Sequence, residues 1–554
     1  MEKPMNDMCS ARSGRLGMVL TDIIKSYWSL ALFLVWMAVG VFPLSCYEND
    51  SMHLLAGCSV MANQGVTVPP PYSYFYDMQP LVSYVVVGLN AVFAGLTCEQ
   101  LYCLVTWFAA CFAVVGAVRF CRRLTLLPVH VLVFALLFLP ESYACAMYPN
   151  SAVPAYACFV WAMCMVLDGR FVLAVALMGL APLFRIDVVI VYPVLLPLLL
   201  FVYGRKKVWR CVALSAVAAV AVVAIVTVGC AAMGADPVSH TLGMYSSFDA
   251  GGQYSGQVKY ALFTFYTIVS VVVLPLGVVV LWRRRLLLLL VTCLLPMLLL
   301  HYMFRRTGCA GKHWLYILPF VLMLCSTGWA AIARWCNGRR GARYAVAALV
   351  VLYAFCSVRI TIPPAVAKVS KAWVGNERQE GPFLTLFSED LTPMKCRFGI
   401  GAGQFIPTAD EMMIASGNVF YPFYIHAYKS NKDAMRREAK AYADTLPCYD
   451  IAALAWGDRI WYQNLLLDDG YAMTGKNDDG YVLRKGGSTV DCYYVHDDIP
   501  KGDAAAAYRT LKPLKRPGRP LLVVPETDAR AYVMDKLVAL GKAVRHARRC
   551  YEVR

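Results

Sequence analysis

Residues 28–53 read WSLALFLVWMAVGVFPLSCYENDSMH, an apolar run that ends in a group of polar and acidic residues. The run from Tyr27 to Cys46 is about as long as a helix needs to be to cross a bilayer. Basic residues precede it, and no small-residue cleavage site follows it, so the sequence predicts an uncleaved first helix with its N-terminus in the cytoplasm. The acidic residues after Cys46 then lie on the outer side.

The composition extends this interpretation to most of the chain. Of its 554 residues, 59% are hydrophobic and 16% are charged, whereas soluble domains have about 45–50% apolar and about 25% charged residues. A polytopic membrane protein is indicated, and disordered and collagen-like chains are excluded. The net charge of +17 is expected to lie in cytoplasmic loops, so no nucleic acid partner is needed to explain it. The 21 cysteines form no CxxC pair, which argues against zinc ribbons and iron–sulfur clusters.

The placement of basic clusters decides the number of spans. If residues 80–96 crossed the membrane, the clusters at 119–123, 205–207 and 283–285 would all fall outside. If residues 80–96 instead form an apolar helix at the interface, every cluster falls inside. The second arrangement predicts about eleven transmembrane helices, near 28–46, 101–118, 124–140, 154–168, 171–184, 186–203, 208–232, 260–282, 286–304, 314–333 and 343–362.

The first outer loop, residues 47–100, differs from the cytoplasmic loops in charge. It contains no Lys or Arg, and its ionisable residues are Glu48, Asp50, His53, Asp77 and Glu99. Ionisable residues beside a membrane are more often functional than incidental. The loop also carries Gly65 and an aromatic segment, residues 72–76, followed by Pro80-Leu81.

This order of elements resembles the GT-C superfamily of membrane glycosyltransferases. It is most similar to the branch that contains the protein O-mannosyltransferases and the bacterial aminoarabinose transferases of lipid A. The resemblance covers about the first 360 residues. It implies an integral membrane enzyme that takes a sugar from a polyprenyl-phosphate carrier on the outer side and inverts its stereochemistry. The membrane would be a bacterial plasma membrane, with an endoplasmic reticulum as the alternative, and the acceptor would be a glycan, a lipid or a protein.

The family's first outer loop opens with Asp-Glu, about fifteen positions before a glycine. Counting back from Gly65 places the Asp at Asp50 and puts Ser51 where the Glu would stand, so Glu48 is the candidate second carboxylate. Asp50 is expected to be the general base that deprotonates the acceptor hydroxyl. The alternative is that Glu48 and Asp50 only cap the following helix.

Two basic segments are predicted to bind the phosphate of the donor. Arg185 lies in a turn that resembles a basic turn of the family, where it could bind phosphate or only pair with Asp187. The second segment resembles a Lys-His-x-x-Tyr-x-x-Pro element of the family and breaks the positive-inside trend. Its cations could bind the carrier or only reach lipid head groups. The candidate ligands are Lys312 first, with Arg305, Arg306 and His313.

Other polar residues are candidates for positioning the acceptor. Asn150 stands where many members have a second outer Asp and cannot take a proton. His240 lies in a Gly- and Tyr-rich loop, residues 234–257, which could close over an acceptor or be inert. The remaining candidates are His53, Asp77 and Tyr316. No cofactor is predicted, since one carboxylate pair is thin support for a divalent cation.

Residues 363–554 have the composition of a soluble domain, predicted to be α/β and extracytoplasmic. Strands are expected near 383–387 and 521–524, and helices near 433–444 and 527–540. The outer location would permit up to two disulfides among Cys396, Cys448, Cys492 and Cys550.

Two other functions stay open beside glycosyl transfer. A transporter or flippase of a lipid-linked saccharide would be expected to show internal repeats, and none is seen. A non-catalytic scaffold gives no reason for an acidic outer loop and an outward cationic segment.

Overall fold

The protein was analysed as a computed structural model, which describes residues 15–46, 49–65, 76, 79–139, 141–147, 149–236, 267–307, 311–358, 386–387, 393–394, 421–454, 456–477, 480–495, 503–525 and 528–554. Over these ranges the chain forms a helical N-terminal part and a C-terminal part built on a β-sheet. The predicted combination of a helical bundle with an α/β domain is therefore confirmed.

The helices of the N-terminal part follow the apolar runs of the sequence. They are α1 (Arg15–Val41), α2 (Asn49–Gln64), α3 (Pro80–Val92), α4 (Cys98–Thr125), α5 (Val129–Leu136), α6 (Glu141–Ala144), α7 (Ala152–Leu167), α8 (Phe171–Phe184), α9 (Leu195–Tyr203), α10 (Val208–Met233), α11 (Thr267–Arg283), α12 (Leu287–Thr307), α13 (Leu318–Cys336) and α14 (Arg340–Val358). Short 3₁₀ helices cover Ile186–Val194, Arg205–Lys207 and Gly311–Ile317.

Four stretches of helix in the described chain are long and apolar enough to cross a membrane: Cys98–Thr125, Ile186–Tyr203, Arg205–Met233 and Trp314–Cys336. Several shorter apolar helices accompany them, among them the one over Pro80–Val92. The predicted helices at 154–168 and 171–184 coincide with α7 and α8 within two residues. The count of about eleven spans and the interfacial placement of residues 80–96 stay predictions.

The start and end of α4 show how local sequence sets these boundaries. Thr97 caps the N-terminus, because its hydroxyl accepts from the Gln100 backbone N–H while the Gln100 side chain accepts from the Thr97 N–H. At the other end Leu126 adopts a left-handed conformation, and its N–H donates to the Arg122 carbonyl. This capping fixes Glu99 in the first turn of α4.

Two glycines allow α11 and α13 to touch backbone to backbone. A Cβ atom on Gly277 would lie 2.0 Å from the carbonyl oxygen of Leu324, and one on Gly328 would lie 2.3 Å from that of Val273. Small residues permit such close approach between membrane helices. By contrast α10 buries only four of its residues, Cys211, Ala218, Val222 and Cys230, and exposes an apolar face. A face of this kind is expected of a helix that contacts lipid.

The C-terminal part contains a seven-stranded sheet and a separate pair of short strands. The pair is β1 (Leu386–Phe387) and β2 (Pro393–Met394), and the strands of the sheet are β3 (Asp450–Ala453), β4 (Ala472–Asn477), β5 (Gly480–Lys485), β6 (Ser488–Tyr494), β7 (Leu521–Val523), β8 (Ala543–Ala547) and β9 (Cys550–Val553). The order in the sheet is β4-β5-β6-β3-β7-β9-β8. Strand β3 is parallel to β6 and β7 on either side, and the outer strands are antiparallel. Its helices are α15 (Tyr421–Ala443), α16 (Trp456–Asp468), α17 (Ala504–Leu511) and α18 (Asp528–Ala539).

The predicted strand at 521–524 and the helices at 433–444 and 527–540 are confirmed by β7, α15 and α18. No disulfide joins Cys448, Cys492 and Cys550 to one another. Cys396 lies outside the described residues. Because β6 and β9 are separated by β3 and β7 in the sheet, Cys492 and Cys550 belong to strands that are not neighbours.

The two parts share one core. Helix α15 packs along α1, and α16 packs along α2. The largest cluster of buried side chains runs from the membrane helices into these two helices of the C-terminal part. The segment after the first helix is therefore enclosed between the helical bundle and the C-terminal domain.

Candidate active site

The first outer segment forms a helix that begins close to the predicted general base. Helix α2 starts at Asn49, which places Asp50 in its first turn. The Asp50 side chain lies outside the described residues, as do Glu48 and Asp77. The start at Asn49 is compatible both with a helix cap and with a catalytic carboxylate. His53, one turn further on, is buried in the interior of the protein.

A buried polar network connects several of the predicted segments. Arg185 donates from Nε to Asp187 Oδ2 at 2.8 Å and from a terminal nitrogen to Ser151 Oγ at 3.3 Å. Ser151 in turn donates to the side-chain oxygen of Gln79, the residue before α3. The Tyr316 hydroxyl donates to the other Asp187 oxygen at 2.6 Å. All five side chains are buried.

This network brings together four segments that are far apart in sequence. Gln79 lies in the first outer loop directly before α3, Ser151 precedes α7, Arg185 and Asp187 form the turn after α8, and Tyr316 belongs to the 3₁₀ helix after α12. Because the hydrogen bonds are direct, these segments lie at one level of the bundle. Tyr316 and Arg185, proposed from sequence for different roles, therefore contact the same carboxylate, that of Asp187.

Of the two uses considered for Arg185, the structure shows the ion pair with Asp187. Their side chains are 7% and 8% exposed. A buried charge is tolerated when it is paired and hydrogen-bonded.

Asn150 is held by the start of α7. Its side-chain oxygen accepts from the Val153 N–H at 3.1 Å, and its side-chain nitrogen donates to the Cys145 carbonyl at 3.0 Å. Its own backbone N–H donates to Thr106 Oγ1 at 3.2 Å. The amide thus fixes the loop before α7, next to Ser151 and the buried network.

The second basic segment spans the end of α12 and the 3₁₀ helix that follows. Arg305 and Arg306 lie in the last turn of α12, and Lys312 and His313 lie at the start of Gly311–Ile317. Their side chains are outside the described residues, as is all of His240. The backbone places Lys312 and His313 three to four residues before Tyr316, which anchors this 3₁₀ helix to Asp187.

Two residues near the site are connected in a way that sequence reasoning missed. Glu99 accepts from the Cys46 backbone N–H at 2.7 Å through one oxygen and from Arg436 at 2.9 Å through the other. The outer-loop pattern singled out Glu99 as one of several carboxylates, but no motif in the sequence marks Arg436. Its position on the buried side of α15, whose interior residues recur at helical spacing, was the only signal.

No group of three or more His, Cys, Asp or Glu that could hold a metal ion occurs in the part of the chain that the structure describes.

Over 98% of its length the chain shares its fold with a protein of known structure. It aligns with crystal structures of ArnT from Cupriavidus metallidurans in the apo state and bound to undecaprenyl phosphate, with TM-scores of 0.57 and 0.56. Each alignment covers 98% of both chains at 14% identity. No protein-family model and no curated protein matches the sequence. The protein therefore has the GT-C fold that its first outer loop predicts.

Proposed function

We propose that the protein is an integral membrane glycosyltransferase that moves a sugar from a polyprenyl-phosphate donor to an acceptor hydroxyl on the extracytoplasmic side. The observation that carries this proposal is the alignment with ArnT over 98% of both chains, including a state in which ArnT binds undecaprenyl phosphate. The C-terminal domain takes part in that alignment. At 14% identity the likeness concerns the fold, so the activity is tested below.

In the proposed reaction the acceptor oxygen attacks the anomeric carbon of the donor. Asp50 takes the hydroxyl proton, a new glycosidic bond forms, and the bond from the anomeric carbon to the phosphate oxygen breaks. The polyprenyl phosphate leaves with the bonding electron pair. A single displacement of this kind inverts the configuration. Glu48 is the candidate second carboxylate beside Asp50.

The negative charge that develops on the leaving phosphate needs cations placed in advance. Lys312 is the first candidate, supported by Arg305, Arg306 and His313. Arg185 is proposed to assist from its place in the buried network with Asp187 and Ser151. Tyr316 would support both sets, because it ties the Lys312 segment to Asp187. The proposed acceptor-positioning residues are His53, Asp77, Asn150 and His240.

The sugar is proposed to be a hexose or a pentose, in the range from mannose to aminoarabinose that the resemblance suggests. The membrane is proposed to be a bacterial plasma membrane, with the N-terminus in the cytoplasm and residues 363–554 outside. Arg119 and Arg123 near the end of α4 support this orientation, because basic residues are enriched on the cytoplasmic side. Both pair with Asp168, which lies at the end of α7 opposite Ser151. A cysteine at position 122 should be labelled only by a reagent that reaches the cytoplasmic side.

The activity is tested by reconstituting the protein with labelled polyprenyl-phosphate sugars and comparing Asp50→Asn with the parent. Transfer should fall by at least about a hundredfold, the usual contribution of a general base. Asp168→Asn is a matched control, since it makes the same chemical change at a carboxylate that pairs with Arg119 and Arg123 and has no proposed part in the reaction. Transfer that survives in Asp50→Asn would disprove the general-base assignment. No transfer by the parent with any donor would favour transport or a scaffold.

A further inference from the structure

The C-terminal domain forms hydrogen bonds with α2 along the length of that helix. Asn464 on α16 donates to the Met52 carbonyl at 3.0 Å, and Asn63 near the end of α2 donates to the Leu467 carbonyl at 2.7 Å. Between them Ser59 donates to Asp468 at 3.1 Å. Side chain to backbone bonds of this kind set the register of one helix on another. The helix that carries Asp50 is therefore held by the C-terminal domain as well as by the membrane helices.

A buried ionic contact extends this hold to the chain just before α2. The Glu99 carboxylate uses one oxygen for the Cys46 N–H at 2.7 Å and the other for Arg436 at 2.9 Å. Arg436 also contacts Asp433 on the same helix at 3.2 Å. Glu99, Arg436 and Asp433 are 6%, 5% and 7% exposed. Charge-assisted hydrogen bonds between buried groups are strong and directional.

The contact between Glu99 and Cys46 affects the start of α2, because Cys46 lies close to it in the sequence. Cys46 lies four residues before Asp50 and three before the start of α2. An anchored peptide group there limits where the first turn of α2 can lie. Both oxygens of Glu99 are occupied by these partners, so it acts on Asp50 through the backbone rather than by contacting a substrate. Arg436 fixes the orientation of the Glu99 carboxylate, because a buried carboxylate without its cation would have to move or bind a proton.

We infer that Arg436 and Glu99 are positioning residues, through which the C-terminal domain holds the segment that carries Asp50 in its working place. This inference rests on the proposed function. It assigns the C-terminal domain a part in the chemistry of the outer loop, beyond any part in binding an acceptor. Misplacing a reacting group by about 1 Å can cost about a hundredfold in rate, so a loose segment at residue 46 should be visible in turnover.

The kinetic test compares Arg436→Gln with Arg548→Gln in full-length protein reconstituted in vesicles. Arg548 pairs with Glu438, which is on the same helix as Arg436, but that pair is exposed to solvent. In Arg436→Gln, kcat should fall about tenfold to a hundredfold per folded molecule, with the donor KM changed less than about twofold. Arg548→Gln should match the parent.

Two further variants separate positioning from a purely structural role. In an Asp50→Asn background, Arg436→Gln should cause no further loss, because there is no base left to misplace. Arg436→Lys keeps the charge and should recover part of kcat, and it replaces Arg436→Gln if that variant does not fold. An unchanged kcat in folded Arg436→Gln, or a full additional loss beside Asp50→Asn, would overturn the inference.

A second measurement does not depend on activity. Hydrogen–deuterium exchange of the peptide over residues 42–56 should be faster in Arg436→Gln and Glu99→Gln than in the parent and Arg548→Gln. Equal exchange in all four proteins would show that Arg436 and Glu99 do not hold this segment, even if turnover changed. If the parent transfers no sugar, the proposed function fails, while the exchange result still decides whether the C-terminal domain holds this segment.

Discussion

Two buried arginine–carboxylate contacts, Arg185–Asp187 and Arg436–Glu99, differ in what they connect. Arg185 and Asp187 are two residues apart and close a turn between α8 and the following 3₁₀ helix. Glu99 and Arg436 are 337 residues apart and join the helical bundle to the C-terminal domain. Their distances and burial are nearly equal. The first contact shapes one segment, whereas the second makes two domains depend on each other.

The largest effect is expected from breaking the local pair. Asp187→Asn leaves the Arg185 charge buried without its partner and should lower the free energy of unfolding by about 3–5 kcal/mol. Asp168→Asn, whose arginine partners are 41% and 60% exposed, should cost less than about 1 kcal/mol. Denaturant titration in detergent micelles measures both. Equal losses would show that burial does not distinguish the two sites.

An effect that is smaller within any one pH unit, and that depends on pH, is expected where the domains meet. Burial and the nearby Glu99 carboxylate raise the pKa of Asp468 to about 7, against the opposing influence of Arg436 and of Ser59. The folded state therefore holds a proton that the unfolded chain releases near pH 4. From this group alone, stability should fall as the pH rises from about 4 to about 7, by at most about 1.4 kcal/mol per pH unit.

Asp468→Asn should remove that slope, since an amide does not titrate and its oxygen can still accept from Ser59. The neighbouring Asp469 pairs with Lys440 and Lys485 at the surface, so Asp469→Asn is the matched control and should keep the slope. Unfolding midpoints measured from pH 4 to 8 give the comparison. An Asp468→Asn variant with the parent's pH dependence would contradict the assignment.

The contrast between the two contacts also explains what the sequence could predict. Apolar run lengths and basic clusters were enough to place α7, α8 and the helical class of the bundle, because local hydrophobicity determines membrane insertion. The Arg185–Asp187 pair was foreseen as an alternative because both residues fall in one turn. The acidic loop and the Pro80 element led to the GT-C fold through a resemblance of short motifs.

The parts that escaped prediction depend on contacts between distant positions. Arg436 lies on an ordinary amphipathic helix, and only the packing of α15 against α1 brings it to Glu99. Tyr316 was chosen for its segment, but its bond to Asp187 follows from the path of the bundle. Gln79 and Ser151 carry no motif at all. Sequence periodicity indicates which face of a helix is buried, but it does not identify the partner on that face.

The smallest effect is expected from an exposed pair in the C-terminal domain, and its pH dependence should have the opposite sign. Hydrogen bonds from Arg548 lower the pKa of Glu438, and the two side chains are 43% and 42% exposed. A carboxyl group whose pKa is lowered by folding stabilises the folded state at pH values above its unfolded pKa. This stabilisation is lost as the pH falls through the folded pKa. Glu438→Gln should therefore cost less than about 1 kcal/mol at pH 7, and this cost should shrink as the pH falls into the acid range. High salt should reduce even this cost, since exposed charges are screened, whereas the loss in Asp187→Asn should be nearly independent of salt. A salt-resistant cost in Glu438→Gln would show that the exposed pair behaves like the buried ones, and the distinction drawn from burial would then fail.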